Sequence, residues 1–492
     1  MKTTTRVALG FVVVLATTAV VSARWQATAP PQTSKGVVLK GRAPVSTEIL
    51  KVKLPRPAEA DLPNGAHLMV LEDHRAPQIV FQITIPGAGG YVDPADMPGL
   101  ASITATMMRE GTPKRTTLQI SEQVERMAAS VGVGTGLSSI DATVSGSSLT
   151  DKFDETFALA VDILLNPTFP DDELARYKER TRTGLLQQRA SAAFLASEMF
   201  SRVLYGAHPA GRVSLTVPVL DRINRQMLVD FHRTHYVPDH AVIAMSGDIT
   251  MAQARKAIDA RLGGWKASGA PAPVVEDPAM PGPGKIYFVA RPNSVQTNFI
   301  VGAPSINRAS PEYDLLQVMN AVIGGGPTGR LFVILREEKG YTYGAYSNVS
   351  ALRFRGGWTA STEVRTEVTN DAFRDLMAEI TRLRDEPVSD KELQDKRGGM
   401  VASFALSLES PQAVLNNHIT RWIYKLPADY WDRYPDRVSA VTSAQVREAA
   451  RKYLEASRLQ IVVVGDPKIG EILKKFGTVE MYDTEGKRVM QP

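Results

Sequence analysis

The chain contains no cysteine among its 492 residues. Disulfide bonds and thiol catalysis are therefore excluded, and so is a lipid anchor attached to a cysteine at a signal-cleavage point. The redox compartment, which cysteine usage often indicates, cannot be inferred. Charge of one sign is also scarce, because 57 basic and 52 acidic residues leave a formal net charge of only +5. No basic run stands out, which disfavours nucleic acid as a partner.

Histidine is scarce as well, with seven residues in the chain. The only cluster is His232 and His235, with His240 nearby, in FHRTHYVPDH. A helix is expected to end near Tyr236, because Pro238 cannot continue it smoothly. No carboxylate lies between the two histidines to act as a base, so the spacing disfavours a catalytic zinc site here.

The N-terminal 23 residues have the pattern of a signal peptide. Lys2 and Arg6 precede an apolar run over 7–21, which ends in the small-x-small sequence Val-Ser-Ala at 21–23. The run is shorter than the roughly 20 residues that span a bilayer, although an uncleaved anchor is the alternative. Cleavage leaves a charge of about +3. The mature chain is then predicted to be periplasmic and not membrane-bound.

The remaining chain contains one unit written twice. Three landmarks recur at nearly constant spacing: Gly65 and Gly284 (219 apart) open the halves, Pro94 and Pro311 (217 apart) precede helices, and Gly247 and Gly465 (218 apart) close apolar strands. A stretch with five prolines separates the halves and reads as an extended linker. The predicted organisation is a signal peptide (1–23), an extended lead (24–46), a first domain (47–265), a linker (266–283), a second domain (284–480) and a tail (481–492).

Hydrophobic periodicity predicts α+β domains, each with a largely antiparallel sheet covered by helices. Strands are expected at 78–85, 140–148 and 297–303, and helices at 118–131, 151–165 and 171 to about 200. Strands are too numerous for a parallel sheet, and the helices fall in runs, which favours segregated layers over alternating βαβ units.

The stretch PGLASITATMMREGT at 98–112 predicts a helix that ends at Gly111-Thr112. This frame resembles the active-site helix of the pitrilysin/insulinase family of zinc peptidases, which reads Gly-x-Ala-His-x-x-Glu-His-x-x-x-x-Gly-Thr. Its two histidines hold zinc and its glutamate activates water. Laid on the frame, Ser102 and Thr106 replace the histidines and Ala105 replaces the glutamate. Hydroxyls are poor zinc ligands and alanine is no base, so the resemblance implies a degenerate motif and no metal in this chain.

The family's third ligand, a glutamate about 75 residues further on, also has no counterpart at the expected spacing. Thr183 or the Gln187-Gln188 pair occupies its expected position. Glu179 is the nearby carboxylate and is expected to be a solvated surface residue.

A second element, GGGPTGRLFVILREEKGYTY at 324–343, contains Arg336, Gly340 and Tyr343. It resembles the family's arginine and tyrosine pair, seven residues apart after a glycine-rich stretch, which faces the zinc across a closed chamber. The resemblance implies that Tyr343 stabilises the developing oxyanion and Arg336 holds substrate carbonyls. The alternative is that Arg336 pairs with Glu337 or Glu338, while Tyr343 is an ordinary strand aromatic.

Two glycine-containing stretches are candidate substrate contacts. Gly134, Thr135 and Gly136 precede the strand at 140–148, and in relatives this region pairs with extended peptide. A loop or bulge that requires glycine is an equal alternative. Gly325 and Gly326 lie in the second element, which lacks the Gly-Lys-Ser/Thr ending of a phosphate-binding loop.

The resemblance implies that the two domains form a half-chamber, like one half of a clamshell. The chain is then expected to be the zinc-free subunit of a heterodimeric exported metallopeptidase that acts on peptides. Zinc is expected in the partner, a family member with His-x-x-Glu-His. The alternatives are a non-enzymatic scaffold or peptide-binding protein of the same fold, and a hydrolase with an unrecognised site that acts alone.

Overall fold

The computed structural model describes residues 50–269 and 271–489. The predicted signal peptide (1–23) and extended lead (24–46) lie outside this range. Both halves belong to one compact unit that starts at Ile49. Among the described residues, none of the helices combines the length and apolar character that crossing a bilayer requires.

The first half is built around a six-stranded sheet of order β1-β2-β8-β3-β7-β6. The strands of the first half are β1 (Ala58–Asp61), β2 (His67–Glu72), β3 (Gln78–Pro86), β4 (Gly111–Thr112), β5 (Arg115–Thr116), β6 (Ser130–Gly134), β7 (Asp141–Leu149) and β8 (Val242–Gly247). Strands β4 and β5 form a separate two-stranded sheet. Its helices are α1 (Leu100–Met107), α2 (Thr117–Arg126), α3 (Phe153–Leu165), α4 (Asp171–Arg189), α5 (Ala192–Tyr205), α6 (Val217–Arg222), α7 (Arg225–His235) and α8 (Met251–Leu262).

The second half repeats this plan with a sheet of order β11-β12-β10-β13-β9-β14. Its strands are β9 (Ile286–Ala290), β10 (Gln296–Pro304), β11 (Thr342–Val349), β12 (Gly357–Arg365), β13 (Gln460–Gly465) and β14 (Val479–Tyr482). Its helices are α9 (Tyr313–Ile323), α10 (Arg330–Phe332), α11 (Thr369–Asp385), α12 (Asp390–Ser407), α13 (Pro411–Ile423), α14 (Tyr434–Ser439), α15 (Ser443–Tyr453) and α16 (Gly470–Leu473).

The predicted α+β class with two sheet-bearing domains is confirmed. Most neighbouring strands are antiparallel, and the parallel pairs are β2 with β8 and β9 with β13 and β14. Strand β14 crosses the predicted boundary between residues 480 and 481, so the second sheet extends into the tail.

Two predicted helices have different bounds in the structure. The helix predicted over 118–131 ends at Arg126, because Val131 belongs to the edge strand β6. The helical region predicted from 171 to about 200 is divided at Ala190, where Ser191 caps a new helix by accepting a hydrogen bond from the Phe194 backbone N–H. The break allows α5 to leave the direction of α4.

Each sheet buries one face in the main core of its own half. Along β3, Phe81 and Ile83 point into that core with α3 packed on them, while Gln82 and Thr84 point to the opposite face. This alternation is the pleat of the strand expressed as burial. The opposite face of each sheet must therefore find another cover.

That cover is exchanged between the halves. Helix α5 of the first half places Leu195, Met199 and Phe200 against Val462 and Val464 of β13 in the second sheet. The approach is close, because a Cβ added at Gly302 of β10 would meet the Phe200 ring at 2.5 Å. The glycine is needed for this helix to lie flat on the sheet.

Helix α13 of the second half returns the contact. It begins 219 residues after α5 and packs Leu415 and Ile419 against Met69, Val242 and Ala244 of the first sheet. Each half is thus completed by a helix from the other. The two halves cannot separate without exposing both apolar seams.

The exchanged helices cover only part of each sheet. In the first sheet, β6 and β7 keep an open face that carries small hydroxyl side chains, where Ser130 and Ser147 lie 2.8 Å apart through their Oγ atoms. In the second, β11 and β12 keep an open face with exposed side chains including Tyr346, Asn348 and Ser361. These two surfaces are available for binding.

We expect Leu415→Ala to lower the free energy of unfolding by about 2–5 kcal/mol, because Leu415 is fully buried between α13 and the first sheet. The loss removes methylene groups and leaves a cavity on the sheet of the other half. Urea unfolding followed by circular dichroism measures it.

Leu406→Ala is the matched control, since Leu406 lies on α12 with 67% of its surface exposed. Its effect should stay within about 0.5 kcal/mol. Equal effects of the two substitutions would show that the exchanged helix does not hold the halves together.

Candidate functional site

Helix α1 begins on a buried carboxylate. Asp93 accepts hydrogen bonds from the backbone N–H groups of Gly99 at 2.6 Å and Ala101 at 2.8 Å. Gly99 has φ of +100°, a conformation that favours glycine. Burial raises the pKa of Asp93 to about 6, and these two backbone hydrogen bonds offset part of that effect. The start of the helix predicted over 98–112 is therefore fixed by Gly99 and by Asp93, which lies outside the motif.

The three positions that the frame assigns to the zinc motif lie on this helix. Ser102 is half-buried and Thr106 is exposed one turn later, where Thr106 Oγ1 donates to the Ser102 carbonyl oxygen at 2.9 Å. Ala105 is fully buried in the core. The face that holds two imidazoles in the zinc peptidases presents two hydroxyls here, one of them satisfied by its own helix.

The positions expected for a third ligand lie on α4 and carry no carboxylate. Thr183 is exposed and donates to the Glu179 carbonyl oxygen, while Gln188 accepts a hydrogen bond from Ser214 at 3.2 Å. Glu179 is a solvated residue whose carboxylate lies 3.6 Å from Arg182. The residues at the ligand positions do not fit a zinc ion.

The histidine cluster does not provide a replacement. His232 donates through Nε2 to the Leu164 carbonyl oxygen at 2.7 Å, and His235 donates through Nδ1 to the Gly87 carbonyl oxygen at 2.8 Å. Burial lowers the pKa of both rings, so each is a neutral donor to the backbone. Within 50–269 and 271–489, no three His, Asp or Glu side chains are placed to share a metal ion.

Arg336 lies in a π-helical turn, Val333–Glu338, which connects α10 to β11. The side chain is exposed, and among the described residues it forms no hydrogen bond or ion pair. The alternative pairing with Glu337 or Glu338 is therefore not present. Single π-helical turns occur often at functional sites.

Tyr343 stands on the edge strand β11, beside an irregularity in the pairing with β12 between Thr342 and Ala345. Its side chain is 90% exposed. A strand aromatic that stabilises a sheet packs against its neighbours, and this ring does not. Arg336 and Tyr343 both belong to the second half, and no described hydrogen bond or ion pair joins either of them to α1.

The segment that carries this pair is anchored by two polar contacts, each of which involves a buried side chain. Arg330 donates from Nε and Nη2 to the two carboxylate oxygens of Glu392 on α12, at 2.8 and 2.7 Å. Asn320 receives the Ser347 hydroxyl at 2.7 Å and donates to the Ser347 carbonyl oxygen. Neither contact is predictable from sequence spacing, because the partners lie 62 and 27 residues apart.

The glycines of the second element line a cavity of about 520 Å³ between that element and α12. Gly325 is tightly placed, since a Cβ there would approach the Ala321 Cα to 2.9 Å, whereas Gly326 faces open space. Lys396 closes one side by donating to the Thr328 hydroxyl at 2.9 Å. A role of Gly325 and Gly326 in substrate binding stays a prediction.

The stretch around Gly134 is an edge strand followed by a turn. In the described part of the chain, the backbone of Ser130–Gly134 forms hydrogen bonds only with β7, so its outer edge is free. Thr135 and Gly136 belong to the turn, where Thr135 donates to the Asp141 carbonyl oxygen at 2.8 Å. The free edge is suited to pairing with an extended peptide.

Both halves match models of one protein family. Residues 68–213 match the model described as Insulinase (Peptidase family M16), and residues 222–400 match Peptidase M16 inactive domain. Among curated relatives, the uncharacterized zinc protease YmxG of Bacillus subtilis is 23% identical, covering 79% of this chain and 93% of its own. The non-peptidase homolog YmxG of Helicobacter pylori is 22% identical, covering 81% and 91%.

Solved structures share the fold. The crystal structure of a peptidase M16 inactive domain from Pseudomonas fluorescens superposes with a TM-score of 0.77 at 27% identity, over 83% of this chain and 98% of that chain. A protease from Helicobacter pylori superposes with a TM-score of 0.76 at 13% identity, over 84% and 100%.

We expect the isolated chain to bind no stoichiometric zinc, whereas the double substitution Ser102→His and Thr106→His should bind about one equivalent. Imidazoles four residues apart share one helix face and can hold the ion together. Metal analysis after equilibrium dialysis is the measurement. Ser102→His alone is the control, because one imidazole is a weak site; stoichiometric zinc in the unmodified chain would contradict the expectation.

We also expect a pH effect from Asp93, whose pKa is raised to about 6 in the folded chain from 3.8. The folded state binds this proton more tightly, so the contribution of Asp93 to stability is fully present below pH 3.8 and is lost as pH rises through 6. Relative to Asp93→Asn, the unmodified chain should therefore gain stability as pH falls from 7 to 4. Denaturant midpoints measured across that range would refute this if their difference stayed constant.

Proposed function

The chain belongs to peptidase family M16, the insulinase family, and from that premise we propose that it is the zinc-free subunit of a heterodimeric, exported metallopeptidase. Without His-x-x-Glu-His it is an inactive M16-family peptidase homologue. In the proposed complex, a second family member with that motif supplies the zinc, and this chain supplies Arg336 and Tyr343.

The observation that carries the proposal is that the side chains of Arg336 and Tyr343 are exposed and have no partner among the described residues. Both stand on a segment fixed by buried contacts. The guanidinium and the phenol stabilise no contact of the fold and stand on a rigid segment. They are therefore free to bind a substrate.

Their chemistry suits peptide hydrolysis. Attack on a peptide bond places negative charge on the carbonyl oxygen, and a phenol O–H aimed at that oxygen stabilises it. The guanidinium of Arg336 can hold backbone carbonyl groups of the substrate through its fork of N–H donors. Zinc in the partner would activate the attacking water. Neither role requires Arg336 or Tyr343 to bind metal.

The substrate proposed is an extended peptide. The free outer edge of β6 offers backbone groups for pairing, and the open face beside it carries the hydroxyl side chains of Ser130, Thr143, Ser145 and Ser147. Main-chain pairing supplies affinity without demanding a particular sequence. The half-chamber that would enclose such a peptide belongs to the same proposal.

The export part of the proposal rests on the sequence pattern at 1–23, where a basic start, an apolar run and small-x-small residues follow one another. The periplasm is the proposed location, and association with a membrane is not part of the proposal.

A second candidate is a scaffold or peptide-binding protein without a share in catalysis. It is favoured by the similarity over 81% of this chain to a protein named a non-peptidase homolog. The two candidates differ in whether Arg336 and Tyr343 affect hydrolysis.

We expect Tyr343→Phe to lower kcat of the reconstituted complex by about 10²–10³-fold, because one donor to the oxyanion is removed. Arg336→Ala should raise KM and lower kcat together. The assay is cleavage of a quenched fluorescent peptide by this chain combined with the His-x-x-Glu-His subunit that co-purifies from the native source.

Tyr346→Phe is the matched control, because Tyr346 lies on the same strand with 45% exposure and packs against Phe332. Gel filtration should show that each variant complex stays assembled. Unchanged hydrolysis by intact Tyr343→Phe and Arg336→Ala complexes would support the scaffold. Chelator-sensitive hydrolysis by this chain alone would refute the division of labour.

A further inference from the structure

A cavity of about 620 Å³, here called the junction pocket, lies where the first sheet, the linker and α13 meet. Three cationic side chains line it, Arg353, Arg421 and Lys425, together with the apolar surfaces of Trp422 and Leu426. Its volume is in the range of small-ligand and short-peptide sites. It contains none of Arg336, Tyr343 or the α1 positions.

Lys425 has a backbone conformation that its own side chain disfavours. It follows the C-cap of α13 with φ of +50°, in a turn where Lys425 N–H donates to the Trp422 carbonyl oxygen and Leu426 N–H donates to that of Arg421. Glycine is the usual residue at this position. The residue 219 positions earlier, after α5, is indeed Gly206, with φ of +57°.

The lysine side chain gains nothing in the fold that would offset this strain. It is exposed, and no hydrogen bond or ion pair of the ammonium group occurs among the described residues. His240, another lining residue, also has a positive φ of +62° and an exposed ring that forms no hydrogen bond or ion pair within the described part of the chain. Left-handed residues that folding does not require are more frequent at binding sites than elsewhere.

The two arginines have N–H donors to spare. Arg421 is paired with Glu59 and Arg353 with Asp141, in each case through one Nη atom. The buried Nε of Arg421 has no hydrogen-bond partner among residues 50–269 and 271–489. A guanidinium has five N–H donors, so both groups can donate hydrogen bonds to a further anionic partner.

The apolar side of the pocket has a fixed ring. The indole of Trp422 stacks on the His67 imidazole with ring centres 3.4 Å apart, and 37% of Trp422 remains exposed. His67 is in turn held by Asp61, 2.7 Å from its Nδ1. An apolar side chain placed on Trp422 would leave water without moving the ring.

We propose that the junction pocket binds a carboxylate carried next to an apolar side chain, as found at the C terminus of a peptide or in an acidic residue within one. Glu59, Asp141 and the 87% exposed Asp61 already balance three positive charges. A singly charged, planar carboxylate therefore fits better than a phosphate dianion, and it matches the fork of an arginine.

The test uses the purified mature chain without any partner subunit, so its result is independent of the proposed peptidase complex. Titration calorimetry compares Ac-Ala-Ala-Phe with a free C terminus, its C-terminal amide, and the amide Ac-Ala-Glu-Phe-NH₂. The free acid should bind at least about tenfold more tightly than its amide. Tighter binding of the glutamate peptide than of the plain amide would identify a side-chain carboxylate as an acceptable source.

The decisive variant is Lys425→Gly, which removes the charge and relieves the backbone. Affinity for the carboxylate peptide should fall about tenfold, while the thermal midpoint stays the same or rises. Lys425→Arg should keep the affinity within about threefold, and Lys114→Ala, a substitution of an exposed lysine on the β4–β5 turn, should leave it unchanged.

Three results would overturn the proposal. Acid and amide peptides could bind equally, or not at all. Lys425→Gly could leave the affinity unchanged. Lys425→Gly could also lower the thermal midpoint, which would assign the lysine a structural role instead.

Discussion

The exchange of helices between the halves is the contact on which the rest of the structure depends. Each sheet buries one face in the core of its own half, and part of its opposite face also carries apolar side chains that need cover. Helices α5 and α13 solve this by crossing to the opposite half, where Phe200 and Leu415 reach the strands. Folding of one half is therefore incomplete without the other. The two domains are expected to fold and unfold as one cooperative unit.

The same exchange decides which surfaces stay available. A helix is narrower than a six-stranded sheet, so each exchanged helix leaves two strands uncovered, β6 with β7 and β11 with β12. The free edge at Ser130–Gly134 and the exposed Tyr343 both belong to these uncovered pairs. The junction pocket arises from the same arrangement, because the end of α13 can meet the linker only after the helix has crossed to the first sheet. Binding surfaces thus follow from how the cores are closed.

Much of this architecture is predictable from the sequence, because repeated spacing and hydrophobic periodicity are local signals. The duplication, the α+β class, the strand at 140–148 and the start of the helix frame at 98–112 all appear as expected. The predicted end of the helix over 118–131 was wrong, because Val131 belongs to strand β6, where its apolar side chain is buried. Periodicity cannot distinguish an apolar residue in a last helical turn from one that starts an edge strand.

The partners of the site could not be predicted, because they join residues far apart in the chain. Nothing in the spacing connects Arg330 to Glu392 or Asn320 to Ser347, although both contacts fix the candidate site. The exchange of α5 and α13 likewise could not be predicted, because hydrophobic periodicity shows only which face of a helix is apolar. Which surface covers that face is a tertiary question.

The candidate site positions differ in how strongly a polar side chain there would disturb the core. Ala105 is completely buried, so a glutamate there would place a carboxylate in the core, which is unfavourable unless the carboxylate has a partner. Arg336 and Tyr343 stand in solvent and neither strengthen nor weaken the packing. Under the proposed function the zinc lies in a partner, so a buried acid at position 105 would have no metal-bound water to act on. The exposed pair makes no demand on the core, and under the proposed function its two side chains act on a substrate outside the chain.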